Sequence, residues 1–84
     1  MELNEKVKEL VAVGASITAN CQPCLQYHTE KALASGADGW EVKAAVEVGK
    51  QVRKGASAKM DQFSSNLKET NPVTAGAVGS PCCG

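Results

Sequence analysis

Along residues 2–19, "ELNEKVKELVAVGASITA", the positions Leu3, Val7, Leu10, Val11, Gly14, Ala15 and Thr18 recur at steps of three and four. That spacing is one face of an α-helix. Charged Glu5, Lys6, Lys8 and Glu9 fall in part on the opposite face. Asn20 interrupts the pattern and suits the N-cap of a second helix opening at Cys21. Pro23 is tolerated in that first turn, because N–H groups there have no intrahelical partner. The second helix is expected to run to about Ser35, with Gly36 as a left-handed stop. Asp38 restarts the chain, and Glu41 three residues later is in capping-box register. From Trp40 onward Val42, Ala45, Val46, Gly49 and Val52 mark a third helix. Met60, Phe63 and Leu67 keep the same spacing beyond Gly55, so the pattern predicts one long helix rather than two. No segment carries a strand signal. After Asn71-Pro72 the sequence becomes "VTAGAVGSPCCG", small and uncharged, which reads as a flexible tail. The prediction is an all-α protein: a small helical bundle over residues 1–70, built as an antiparallel helix hairpin plus a long third helix. A Gly/Ala-rich tail, 71–84, ends in Cys82 and Cys83.

Length and composition sharpen this picture. A chain of 84 residues makes one small domain. Such a chain buries only ~60–65% of the surface exposed when unfolded, so a lone core is marginal. One Trp, one Tyr and one Phe supply little aromatic bulk. Trp40 is expected to anchor the start of the third helix, and Tyr27 to pack or meet a neighbour. Met60, Phe63 and Leu67 form a core or interface stripe. Val48 lies off the Val42–Val46–Gly49 face, and this apolar surplus predicts an oligomer. Nine basic and nine acidic side chains balance, removing the electrostatic term on which nucleic-acid binding depends. The charged N-terminus is unlike a signal or transit peptide. No apolar run nears the ~20 residues needed to span a bilayer. A soluble, cytoplasmic protein is expected, with no membrane or nucleic-acid partner. In that compartment paired cysteines are more often catalytic or metal-binding than structural.

The chemistry concentrates in "ANCQPCLQYHTEKA", where Cys21, Cys24 and the sole histidine, His28, are spaced Cys-x-x-Cys-x-x-x-His. Steps of three and four put all three on one side of a helix. Haem attachment needs His directly after the second Cys, where Leu25 stands. A thioredoxin-like site needs a preceding strand, and none is predicted. A zinc site takes four ligands, and this segment offers three, with a fourth to come from Glu9 or the tail. Buried cysteines beside a satisfied histidine are the plainest alternative. The redox reading has a direct physical cause. A helix N-terminus favours thiolate, a nearby imidazole accepts the proton, and i, i+3 spacing lets the sulfurs meet. Counting outward from a hairpin turn at residues 19–20 sets Glu9 level with residue 30, and residue 28 level with residue 11. Glu9 is thereby placed to orient His28 or feed it protons; otherwise it is one exposed carboxylate among several.

"ELVAVGASITANCQPCLQYHTEKALASGADGWEV", with Glu9 twelve residues before Cys21 and then CxxCxxxH, resembles the alkylhydroperoxidase-like branch of the carboxymuconolactone decarboxylase family. The resemblance covers residues 3 to about 68. It implies an all-helical fold assembling as trimers or hexamers, and a dithiol that reduces a hydroperoxide. It further implies that Cys24 attacks the peroxide, Cys21 closes the disulfide, and Glu9 with His28 relays protons. The best-studied hydroperoxidase members carry another His just before the second Cys, where this chain has Pro23, which implies a simpler relay and weaker activity. Decarboxylase members generally lack the Cys pair, so that reaction is disfavoured.

Two functional classes follow. One is a thiol-dependent peroxidase or disulfide oxidoreductase using Glu9, Cys21, Cys24 and His28, with no cofactor. Its partners are a hydroperoxide and an external dithiol reductant. The other is a soft-metal or metalloid binder using Cys21, Cys24, His28, Cys82 and Cys83, since thiolates favour soft ions.

Overall fold

The computed structural model describes residues 2–67, so the predicted tail with Cys82 and Cys83 lies outside the described residues. Three helices and no strand occur among them: α1 (Glu5–Thr18), α2 (Gln22–Ala34) and α3 (Gly39–Ser65). The all-α bundle predicted from the periodicity is the observed one. None of these helices is long and apolar enough to cross a membrane.

Local chemistry sets the boundaries. Asn4 caps α1, its Oδ1 accepting the Val7 N–H at 2.8 Å. The end of α1 departs from expectation. Asn20 is not the N-cap of α2; it adopts φ +57°, the left-handed conformation. Its N–H donates to the Ile17 carbonyl at 3.1 Å, and the Cys21 N–H donates to the Ser16 carbonyl at 3.0 Å. This pair of bonds is a Schellman stop, for which Asn is the commonest substitute for Gly. Cys21 then becomes the N-cap of α2, with Pro23 in the first turn. The end of α2 repeats the device with Gly36 at φ +103°, the Ala37 N–H donating to Ala32 at 3.0 Å. Ala32 and Ala37, brought together by that turn, are both buried. The Glu41 side chain accepts the Asp38 N–H at 2.9 Å and starts α3 as its register predicted.

The central helix is α1, which packs against α2 on one side and α3 on the other, while α2 and α3 barely touch. Between α1 and α3 the backbones come close at Gly14 and Gly49. The Thr18 hydroxyl lies 3.2 Å from the carbonyl oxygens of both glycines. A Lys6–Glu41 ion pair at 3.2 Å ties the two helices at one end. Arg53 ties them at the other, donating to the Ile17 carbonyl at 3.2 Å and to Asn20 Oδ1 at 2.8 Å. The long α3 therefore runs parallel to α1, and from Lys54 onward each of its residues is exposed.

The sandwiched position of α1 changes which of its faces is buried. Val13, fully buried, forms the core with Ala32 and Ala37, and Leu10, Leu25, Val42, Ala45 and Val46 pack around them. Glu9 and Ser16 share the buried face with Val13. Expected on the polar face, Glu9 is instead inside, because α2 covers residues 9, 13 and 16. Conversely Leu3, Val7 and Val11 of the predicted apolar stripe are exposed, as is Trp40 at 69%. Trp40 is not a packing anchor within the chain. An apolar groove of about 460 Å³, lined by Val7, Val11, Ala15, Val48 and Val52 among others, runs between α1 and α3.

Candidate active site

The site is assembled at the junction of α1 and α2. The left-handed turn at Asn20 points the chain back and leaves Cys21 at the mouth of α2. There its Sγ accepts the Cys24 N–H at 3.3 Å. A sulfur thus fills the role that an oxygen usually has at an N-cap. Because Pro23 has no N–H, the Cys24 N–H is one of the few first-turn donors needing a partner. Cys21 and Cys24 are joined as a disulfide, their Cα atoms 5.3 Å apart. Cys24 and His28 lie one turn apart on the same face of α2.

Across the hairpin, Glu9 Oε1 lies 2.7 Å from His28 Nδ1. The helical count had offset these residues by two positions. That is ~3 Å of rise, within reach of a glutamate side chain. The Glu9 side chain is 9% exposed and that of His28 30%. In the tautomer whose proton is on Nδ1, that N–H donates to the Glu9 carboxylate and the Nε2 lone pair stays free. The bond is short, as charge-assisted hydrogen bonds are. The Tyr27 ring stands edge-on to the imidazole, centroids 4.9 Å apart, so the half-exposed Tyr27 screens one side of His28.

The four residues expected to form a site, Glu9, Cys21, Cys24 and His28, therefore lie along the first two turns of α2 and on the α1 face opposite them, with Glu9 and His28 in direct contact. Periodicity did not single out Asn20 as a left-handed stop, nor Arg53. The guanidinium of Arg53 links α3 to the turn that places Cys21. A small cavity of about 190 Å³ opens beside Cys21, with Ser16, Asn20, Leu25 and Arg53 in its wall. The usable signal was that Asn ranks second to Gly at helix stops. Among the described residues no group of three or more His, Cys, Asp or Glu side chains is arranged to hold a metal ion. Cys82 and Cys83, the other residues of the metal-binding alternative, lie outside the described residues.

The described residues form a small all-helical bundle that carries a CxxC pair beside a Glu–His dyad. Residues 2–61 match the model of the carboxymuconolactone decarboxylase family, and the chain belongs to that family. Members of this family are enzymes, of decarboxylase or peroxidase-like type. No curated protein and no solved structure matches the chain significantly.

Proposed function

We propose that the protein is a thiol-dependent peroxidase, reducing a hydroperoxide with the Cys21–Cys24 dithiol. The observation that carries this reading is the 2.7 Å Glu9–His28 bond placed one turn from a Cys pair at a helix start. A dithiol without a base is a weak nucleophile at neutral pH, and an imidazole held by a carboxylate one turn from Cys24 supplies that base.

In this reading His28 removes the Cys24 proton, and the α2 N-terminus stabilises the thiolate. The thiolate attacks the peroxide oxygen; the O–O bond breaks, and the leaving alkoxide takes the proton back from His28. Cys24 is now sulfenic acid. The Cys21 thiolate attacks its sulfur, water departs with one proton, and the Cys21–Cys24 disulfide forms. Two electrons from an external dithiol restore the pair by exchange. Glu9 holds His28 in one tautomer and balances its charge while it carries the proton. The oxidised form of this cycle has the connectivity described above.

Sulfenic-acid trapping decides the assignment. Peroxide added to reduced Cys21→Ser protein should leave a dimedone adduct on Cys24, and Cys24→Ser should consume peroxide far more slowly. Adduct formation at Cys21 alone would reverse the roles. Absence of reaction at either thiol, with metal in the purified protein, would replace the peroxidase by a soft-metal binder using Cys21, Cys24, His28, Cys82 and Cys83. The proposed working form is a homo-oligomer, trimer or hexamer, in the cytoplasm.

A further inference from the structure

The return half of the redox cycle leaves one participant without a stated chemistry: the thiol that reduces the Cys21–Cys24 disulfide. The cavity of about 190 Å³ where α1, α2 and α3 meet shows where that thiol arrives, because Cys21 lines it and Cys24 does not. A thiolate entering there meets the Cys21 sulfur. The larger groove between α1 and α3 has neither cysteine in its wall.

This cavity also holds a charge without a counter-charge. Arg53 is its one ionised side chain, and the rest of the lining, Ser16, Asn20 and Leu25 among it, is neutral. No carboxylate lies within ion-pair distance of Arg53 among the described residues, where every ion pair joins a Glu to a Lys or to His28. A guanidinium has five N–H donors. Nη1 spends its two on the Ile17 carbonyl at 3.2 Å and on Asn20 Oδ1 at 2.8 Å. The donors on Nε and Nη2 have no acceptor among the described residues. A guanidinium edge of this kind holds a carboxylate through two parallel bonds. Arg53 is half-buried, so its charge is screened less than that of a fully solvated side chain.

The Nη1 bonds fix where the charge stands. They hold the guanidinium on residues 17 and 20, the turn that sets Cys21 at the mouth of α2. Cation and sulfur are thus placed in one wall by one short stretch of chain. Size narrows the ligand further. At ~30 Å³ per water, 190 Å³ is the space of about six waters. Pockets that enclose drug-sized ligands run to roughly 300–1,000 Å³. The cavity suits a short chain with a thiol at one end and an acid at the other, and it is too small for the folded end of a protein.

We propose that this cavity is the reductant site of the cycle, and that Arg53 selects a low-molecular-weight thiol carrying a carboxylate a few bonds from its sulfur. The proposal rests on the redox reading of Cys21 and Cys24, and not on which oxidant they meet. The reductant thiolate attacks the Cys21 sulfur; the Cys21–Cys24 bond breaks, and Cys24 leaves as thiolate and takes up a proton. A second thiolate, from another molecule or from the same one where it is a dithiol, attacks the reductant's sulfur in the mixed disulfide. Cys21 leaves as thiolate and is protonated in turn. Its sulfur accepts the Cys24 N–H at 3.3 Å, a bond that favours this departing anion. The protein pair has gained two electrons and two protons, and the reductant has become a disulfide.

The test runs the exchange in reverse, through the same transition states: reduced full-length protein is oxidised by small symmetric disulfides. Dithiodipropionate is anionic, hydroxyethyl disulfide neutral and cystamine cationic. Acid quench, alkylation and mapping of the peptide that holds Cys21 and Cys24 give the rate at that pair alone. Each rate is compared between wild type and Arg53→Met, which cancels the intrinsic reactivity of the disulfide. Dithiodipropionate should react about tenfold more slowly with Arg53→Met, as expected when one charge-assisted contact is lost, and hydroxyethyl disulfide should stay within about twofold. Cystamine should not slow. If Arg53 only tied α3 to the turn, the substitution would slow all three alike, and that result overturns the proposal. A dithiodipropionate rate unchanged in Arg53→Met overturns it too. Where Arg53→Met fails to fold, wild type alone gives the answer. Raising salt from ~20 to ~500 mM should slow dithiodipropionate several-fold and leave hydroxyethyl disulfide unchanged; an equal response of the two overturns the proposal. No peroxide enters these assays, and peroxide consumption is scored separately. Its failure with the charge preference intact would remove the peroxidase reading and leave the Arg53 site standing. Peroxide consumed without a charge preference would remove the Arg53 site alone.

Discussion

The backbone of Gly49 on α3 lies so close to Gly14 on α1 that a Cβ at residue 49 would sit 2.5 Å from the Gly14 carbonyl oxygen and 2.8 Å from Ile17 Cβ. Neither neighbour is the free end of a flexible side chain, so the helices themselves must part. Gly49→Ala should therefore destabilise the protein by about 1–3 kcal/mol despite the better helix propensity of alanine. In a domain of this size that is a fall in Tm of roughly 4–8 °C per kcal/mol. Gly55 on the same helix has nothing within 4 Å. Gly55→Ala should stabilise by about 0.5–1 kcal/mol. Thermal melts of the two variants should move in opposite directions; a shared direction would mean that α1 and α3 do not pack at Gly49.

Glu9→Gln preserves the size of the side chain but removes the charge that His28 Nδ1 meets at 2.7 Å. His28→Ala removes the proposed base outright. Both are expected to slow the reaction of Cys24 with hydroperoxide, the second by about 10²–10⁴-fold, with far-ultraviolet circular dichroism unchanged. Stopped-flow rates on reduced protein check this, and a His28→Ala protein as fast as wild type would dismiss the relay.

Glu41 links acid stability to α3. Its carboxyl is held below the ordinary value of 4.5, first by the Asp38 N–H bond and then by its bond to Lys6, against a small opposing effect of burial. A depressed folded-state pKa stabilises above the ordinary carboxylate range and loses that contribution as pH falls through the lower folded value. Glu41→Gln should melt below wild type at pH 7, and the gap should narrow as pH drops toward 3. A gap that widened on acidification would contradict the assignment.

The α1–α3 groove exposes Val7, Val11, Val48 and Val52, and α3 continues with Met60 and Phe63 in solvent. Against so small a buried core, this apolar surface is expected to be covered by further copies of the chain. Light scattering should give an oligomer at micromolar concentration, and Val11→Glu with Val48→Asp should dissociate it. A stably folded wild-type monomer would refute the assembly.

How far the sequence reached depends on the range of the interaction that decides each feature. Asp38 with Glu41, Gly36, and the run of α3 through Gly55 were legible, because caps, stops and periodicity are settled within a few residues. The common face of Cys21, Cys24 and His28 followed from helical steps alone. At Asn20 two local rules competed, N-cap against left-handed stop. The stop prevailed because Ser16 and Ile17 accept the N–H groups of Cys21 and Asn20, leaving the capping to a sulfur. The faces of α1 were beyond any local rule. Its apolar stripe was plain in the sequence, yet a helix between two neighbours buries two faces, and which residues of the second are covered depends on where α2 lands. Counting from the turn had put Glu9 within reach of His28, but only that docking took Glu9 out of solvent, left Val7 and Val11 bare, and brought Arg53 to the turn that holds Cys21.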